Sequence, residues 1–351
     1  MTKTKDTLTF KPKAVVQKLL TALPERAKDI LTKRYGLDKS GQVKTLEAIG
    51  KEYGITRERV RQIENFALVN VKKAEAYQKN EEAFIELKEL INYYGGIVHE
   101  REFLKTMAKD KLTQNYIHFL LVLSDAFTKM KENKLFHHRW TVNPDLAQKV
   151  ENGLDAVCQD LTNQDLISEK DLLSRFLAKL QNVVKDIKSI EEDVAVHWLK
   201  LSKNLNKNPL GEWGLTDSPS VRMRGIRDYA YLVLRHHGSP MHFLEVAQRI
   251  EELFGREAHP ATCHNELIKD KRFVLVGRGL YALSEWGYNP GVVQEVIKNI
   301  LAGEGPLTKK EIIERVKKER YVKDNTILVN LQNCEDIRQG PDGRYHYINF
   351  S

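Results

Sequence analysis

The sequence predicts a mainly α-helical chain of several small domains, a helix-turn-helix followed by tandem winged helix-turn-helix modules with small β-hairpin wings. Three observations carry that expectation. The stretch TLEAIGKEYGITRERVRQIE, Thr45 to Glu64, reads as two short helices around a glycine turn. Downstream, a turn followed by an aromatic strand recurs at Trp140, Trp213, Tyr281 and Tyr345, in steps of 73, 68 and 64 residues that each suit one small domain. The length of 351 residues exceeds a single core, since one domain usually takes about 100 to 200 residues.

The first pair of helices follows from caps and periodicity. Thr45 is placed to cap a helix whose Leu46, Ile49 and Tyr53 fall at helical spacing, and Gly54 suits a turn that needs φ > 0. Thr56 caps the next helix. On it Val60, Ile63, Ala67 and Val71 share one face, whereas Arg57, Glu58, Arg61, Gln62 and Asn65 share the opposite one. That polar set suits the edges of base pairs: arginine bonds guanine O6 and N7 with two arms, glutamate accepts from cytosine N4, and glutamine pairs with adenine. Arg57, Glu58, Arg61 and Gln62 are therefore expected to touch bases, with Lys51 and Arg59 on phosphates beside them. An ordinary solvated helix would explain the charges, but not the agreement of both caps, the glycine turn and the polar face.

Charge points the same way. The formal net charge is +8, yet residues 1–80 hold 18 basic and 9 acidic residues, against 38 and 39 in the remainder. All of the excess positive charge thus lies on the first module. That is the electrostatic footprint of phosphate binding, with affinity expected to fall as salt rises. Double-stranded DNA is the expected partner of this end, and the near-neutral remainder needs contacts of another kind.

Ala48-Ile49-Gly50, Gly54-Ile55-Thr56 and Arg57 through Glu64 resemble region 4 of the sigma-70 family. The likeness extends upstream through Leu23, Pro24, Arg26, Ile30, Leu31, Arg34, Tyr35 and Gly36, and covers roughly the first seventy-five residues. In that family the module reads the minus-35 promoter element and grips a polymerase helix in an apolar cleft. By position, the resemblance implies base contacts from Arg57, Glu58, Arg61 and Gln62, and phosphate contacts from Arg34, Thr45 and the backbone at Leu46. It also implies RNA polymerase core as a partner. Two departures narrow this. The family continues with several basic residues where this chain reads NFALVNV before Lys72 and Lys73, and nothing here resembles the aromatic-rich module that opens promoters. A complete initiation factor is not expected.

The remaining chain repeats one order: helices, a short strand, a turn and an aromatic strand. In residues 290–351, helical patterns around Val296, Ile312 and Thr326 to Leu331 precede a hairpin from Ile337 to Phe350 with Pro341-Asp342-Gly343 at its tip. Residues 219–289 show the same order, and 79–145 and 160–218 fit it more loosely; residues 1–78 form the sigma-like module. The segments GSPMHFLEVAQRI and HPATCHNELIKDKRFVLVGRGLYALSEWGY resemble the HARE-HTH winged-helix family over residues 221–288. That family occurs in the delta subunit of bacterial RNA polymerase, in chromatin regulators and beside some restriction endonucleases, which implies a nucleic-acid or polymerase context. His264, Asn265 and Lys269 fall on its recognition helix, and Arg278 and Arg344 at hairpin tips, as second-site contacts. Packing or solvated turns are the competing readings for all five.

No Ser/His/Asp, Cys/His or paired-carboxylate arrangement stands out, so the chain is not expected to be an enzyme. Cys158, Cys263 and Cys334 are odd in number and lack metal-ligand spacing, and His137-His138 and His236-His237 lack partners at ligand spacing. No metal, cofactor or small-molecule substrate is expected. Without a signal-like or membrane-length apolar run, a soluble cytoplasmic protein is expected. Trp140, Trp213, Trp286 and Tyr281 recur at equivalent places and are expected to close small cores rather than to stack bases. The functional expectation is a sequence-specific DNA-binding transcription regulator. The alternative is a polymerase-docking accessory protein that binds DNA without sequence preference.

Overall fold

The computed structural model describes residues 7–181, 183, 184, 190–288 and 293–348. It is mainly helical with small antiparallel sheets and divides into two compact units, Met1–Thr216 and Asp217–Ser351.

The first unit opens with α1 (Pro12–Leu20), α2 (Glu25–Tyr35), α3 (Leu46–Tyr53), α4 (Arg57–Lys73) and a short α5 (Glu75–Gln78). Pro12 starts α1 at the position where its missing N–H costs nothing, and Gly36, left-handed at φ +63°, ends α2. Next come α6 (Glu81–Tyr93), β1 (Ile97–His99), α7 (Glu100–Met107), α8 (Lys111–Leu123), β2 (Thr128–Met130) and β3 (Arg139–Thr141), with the sheet in the order β1-β3-β2. The third module is α9 (Pro144–Gln159), α10 (Glu169–Leu180), α11 (Glu192–Leu199) and the hairpin β4 (Leu205–Lys207) and β5 (Trp213–Leu215). It begins at 144 and not at 160, because Val150, Leu154 and Val157 of α9 lie in one core with Leu172 and Phe176 of α10. Gly153 lets α10 approach so closely that a Cβ there would stand 2.7 Å from Leu180.

The expected boundary near residue 78 does not separate two cores. Val16, Leu19, Leu31, Ala67 and Val71 pack with Phe84, Leu87, Ile117, Phe119 and Leu120 of α6 and α8 in one cluster. The reason lies in α8, which is apolar all round its axis and so needs cover on every side.

The second unit holds two winged modules. One is α12 (Ile226–His237), β6 (Met241–His242), α13 (Phe243–Phe254), α14 (Pro260–Lys269), β7 (Phe273–Gly277) and β8 (Leu280–Leu283), with the sheet ordered β6-β8-β7. The other is α15 (Val293–Glu304), α16 (Lys309–Glu319), α17 (Asp324–Gln332), β9 (Ile337–Gln339) and β10 (Tyr345–Tyr347). Phe350, which ends the expected hairpin, lies outside the described residues. Tyr321 donates its backbone N–H to Val276 of β7 at 3.0 Å, which ties the two modules together.

The four aromatic residues aligned in the sequence occupy one equivalent position. Each sits in the last wing strand, between a residue just before the second helix of its module and a residue of the preceding wing strand. The flanking pairs are Val98 and Lys129 for Trp140, Ile167 and Lys207 for Trp213, Met241 and Leu275 for Tyr281, and Leu307 and Gln339 for Tyr345. In the second and third modules the likeness reaches side-chain chemistry. The Trp140 indole donates to Glu100 at 2.7 Å, and Lys129 pairs with that carboxylate and lies 5.2 Å from the ring centroid. The Trp213 indole donates to Glu169 at 3.1 Å, with Lys207 on that carboxylate and 5.2 Å from the ring. Trp140, Trp213 and Tyr281 are buried, and Trp286 is half-buried against Val274 and Val276.

Candidate nucleic-acid interface

The interface is built on a small three-helix core. Ile30 of α2, Ile49 of α3 and Val60 of α4 are fully buried against one another, with Leu46, Tyr53, Ile55 and Ile63 around them. The turn between α3 and α4 is tight for two reasons. Gly54 is left-handed at φ +63°, and the Ile55 N–H donates to Gly50 at 2.9 Å. Gly50 lies so close to the returning chain that a Cβ there would stand 2.6 Å from the Ile55 carbonyl oxygen. Both expected caps form: Thr45 accepts from the Ala48 N–H and Thr56 from the Arg59 N–H, each at 3.1 Å.

Above this base, Arg57, Glu58, Arg59, Arg61 and Gln62 are all exposed on the first turns of α4. Two pairs hold them. Arg61 binds Glu58 with two arms, at 2.9 and 2.6 Å, and this pairing draws the Glu58 carboxyl below the usual carboxylate range. Arg59 donates to Gln62 at 3.1 Å. Such exposed pairs are weak in water, so they order the side chains and yield to a stronger partner. Lys51 pairs at 3.1 Å with Glu47, again on the surface. A shallow depression between α3 and α4 is lined by Lys51, Arg57, Arg59 and the turn residues Gly54 to Thr56.

The N-terminus of α3 completes the site. The Thr45 hydroxyl accepts one N–H and keeps its own hydrogen to donate. The Leu46 N–H lies in a first helical turn, whose N–H groups have no acceptor within the helix, and there the helix dipole favours an anion. Arg34 is half-buried: its guanidinium lies 3.4 Å from Glu64 and donates to the Lys44 carbonyl at 3.2 Å. It anchors the chain entering α3 while one side stays open to solvent.

Glu64 is the functional residue that sequence reasoning missed. It is buried, accepts from the Tyr35 hydroxyl at 2.9 Å and pairs with Arg34, so that α2 and α4 are locked across the core. Burial, then the Glu64 charge, raises the Tyr35 phenol well above its ordinary range and keeps it a donor. The signal was its spacing, four residues after Val60 and three before Ala67 on the packed face. Lys33 supports the same frame from outside by pairing with Asp29 at 2.9 Å and Glu52 at 3.3 Å, and Lys44 also pairs with Glu52.

The second-site candidates divide. Asn265 and Lys269 are exposed on α14 and Arg278 is exposed at the β7–β8 tip. His264 is half-buried and stacks on Phe243, with ring centroids 4.4 Å apart. Arg344 donates to the Pro306 carbonyl at 3.0 Å and lies 3.5 Å from Glu311, within its own module.

Residues 19–73 match the family model of sigma-70, region 4, and residues 226–286 match that of the HARE-HTH, or restriction endonuclease HTH, domain. The chain is 49% identical over 55 residues to RNA polymerase principal sigma factor HrdD of Streptomyces viridifaciens, which is 16% of either protein. It is 53% identical over 53 residues to RNA polymerase sigma factor SigA of a Nostoc species, or 15% of this chain and 13% of the relative. It is 54% identical over 50 residues to RNA polymerase sigma factor SigA1 of Synechococcus elongatus, or 14% and 12%. The chain thus spans 12 to 16% of the length of these relatives. It carries a sigma-70 region 4 helix-turn-helix, a DNA-binding module of the transcription apparatus, and a HARE-HTH winged helix.

Proposed function

We propose that the chain is a sequence-specific, duplex-DNA-binding regulator of transcription initiation, with α4 in the major groove. The observation that carries this reading is the exposed set Arg57, Glu58, Arg59, Arg61 and Gln62 on the first turns of a helix whose opposite face is fixed by Val60 and Glu64. Side chains that read bases need such a rigid base. On binding, Glu58 and Arg61 exchange each other for a cytosine amine and a guanine edge, while Lys51, Thr45 and the Leu46 N–H take phosphates. The test is selection of bound sequences from a random duplex library, followed by titration of the winner and a scrambled control at two salt concentrations. Arg61→Ala is expected to cost about 1 to 3 kcal/mol and to relax specificity at one base pair. Lys51→Ala is expected to weaken all sequences alike. Equal losses on selected and scrambled DNA for both variants would sink the assignment.

A second reading, a polymerase-docking accessory protein with non-specific DNA binding, is favoured by Ile268. It is 62% exposed on α14 beside Asn265 and Lys269, and an apolar side chain there suits a protein surface better than a phosphate. Co-purification with core RNA polymerase that survives nuclease treatment would support it, and its absence would remove it.

A further inference from the structure

We infer that the second module is a brace for the DNA reader, in which Asn115 and Tyr116 of α8 are positioning residues that set the N-terminus of α3. The inference rests on the reading of α3 and α4 as the DNA interface. In a winged helix-turn-helix the third helix is the one that enters a groove. Here that helix is α8, and Asn115, Tyr116, Ile117, Phe119, Leu120, Leu121 and Leu123 along it are all buried. It has no face left for a groove.

What α8 holds instead is the connector between α2 and α3. The Asn115 side-chain amide donates to the carbonyls of both Gly36 and Gly41, each at 2.9 Å, and the Tyr116 hydroxyl donates to the Leu37 carbonyl at 2.9 Å. Both side chains are almost fully enclosed, at 4% and 3% exposure. Gly36 and Gly41 are left-handed, at φ +63° and +62°, and a Cβ on Gly36 would stand 2.7 Å from the Asn115 amide nitrogen. The connector is thus shaped to fit this one side chain. Three residues beyond Gly41 the chain is pinned again, by the Lys44 N–H on the Lys33 carbonyl at 3.0 Å and by Arg34 on the Lys44 carbonyl. Thr45 and Leu46 follow at once. A phosphate contact through a backbone N–H demands placement within about 0.5 Å, and these two pins supply it from opposite sides.

The experiment uses the full chain with Tyr116→Phe, which keeps the ring and removes one hydrogen bond, and Asn115→Ala, which leaves two buried carbonyls without their donor. Arg61→Ala is the control for base reading. Tyr116→Phe is expected to keep the parental circular dichroism and to bind duplex DNA about two- to tenfold more weakly. The loss should be equal on selected and scrambled sequences, and the salt slope shallower by about one contact. Amide hydrogen exchange should quicken over residues 36–46 and not in α4, and Asn115→Ala should show the same pattern more strongly. Parental affinity and parental exchange in Tyr116→Phe would overturn the inference alone, as would a loss confined to the selected sequence. A parent that binds no duplex would overturn the DNA reading and this inference with it.

Discussion

At the scale of single residues, Gly50 and His118 carry opposite kinds of constraint. Gly50 is a matter of space: Gly50→Ala would drive a Cβ into the Ile55 carbonyl. It is expected to destabilise the chain by about 1 to 3 kcal/mol in urea unfolding. His118 is a matter of solvation. Burial pushes its imidazole down to about 4 from an ordinary 6.5, and Lys129, 3.3 Å away, adds to this against the pull of Glu100 at 3.6 Å. The unfolded chain therefore takes up this proton first as pH falls. Stability that is full above about 6.5 should decline between 6.5 and 4. Thermal melts across that window should show the decline, and His118→Gln should flatten it. The residues legible in the sequence were those whose role is local. Thr45, Gly54 and Thr56 act within four positions of themselves, and the exposed face of α4 follows from its periodicity alone. Glu64, Asn115 and Tyr116 act on partners 29 to 79 positions away, across packing that one sequence does not display.

At the scale of elements, the wings were legible because each carries its own punctuation: a turn, then an aromatic residue in a short strand. The alignment of Trp140, Trp213, Tyr281 and Tyr345 reappears as an identical cross-strand register. The helix α9 was not assigned to a winged module, because its pattern follows directly on the preceding wing, with only Asn143 between Val142 and Pro144. Only its packing on α10 shows where it belongs. The ring in each wing closes a core too small to tolerate its loss. Trp213→Ala is expected to cost about 3 to 5 kcal/mol, read as a lowered urea midpoint for the third module, and fluorescence from the remaining tryptophans would follow it.

At the scale of the whole molecule, charge and core follow different boundaries. The positive excess ends near residue 80, whereas the core that begins in α1 runs on through α8 to Trp140. Composition made the first boundary visible, and the second depends on which apolar faces meet. A fragment ending at residue 78 keeps every proposed DNA contact of the first module but strips the cover from Val16, Leu19, Leu31 and Val71. It is expected to show partial helicity and no cooperative melt, whereas a fragment ending at residue 216 melts cooperatively; circular dichroism of the two checks this. The shared wing register also bears on how the chain reaches its fold. Four strands with one pairing pattern are four competitors for each partner strand while the chain is still open, and misassembly between repeats is a characteristic failure of such arrays. What sorts them is the residue opposite the ring. Lysine in the second and third modules, leucine in the fourth and glutamine in the fifth give each hairpin a different neighbour. The two wings that share a lysine are also adjacent in the chain, and that is where it has least protection against trading strands during synthesis.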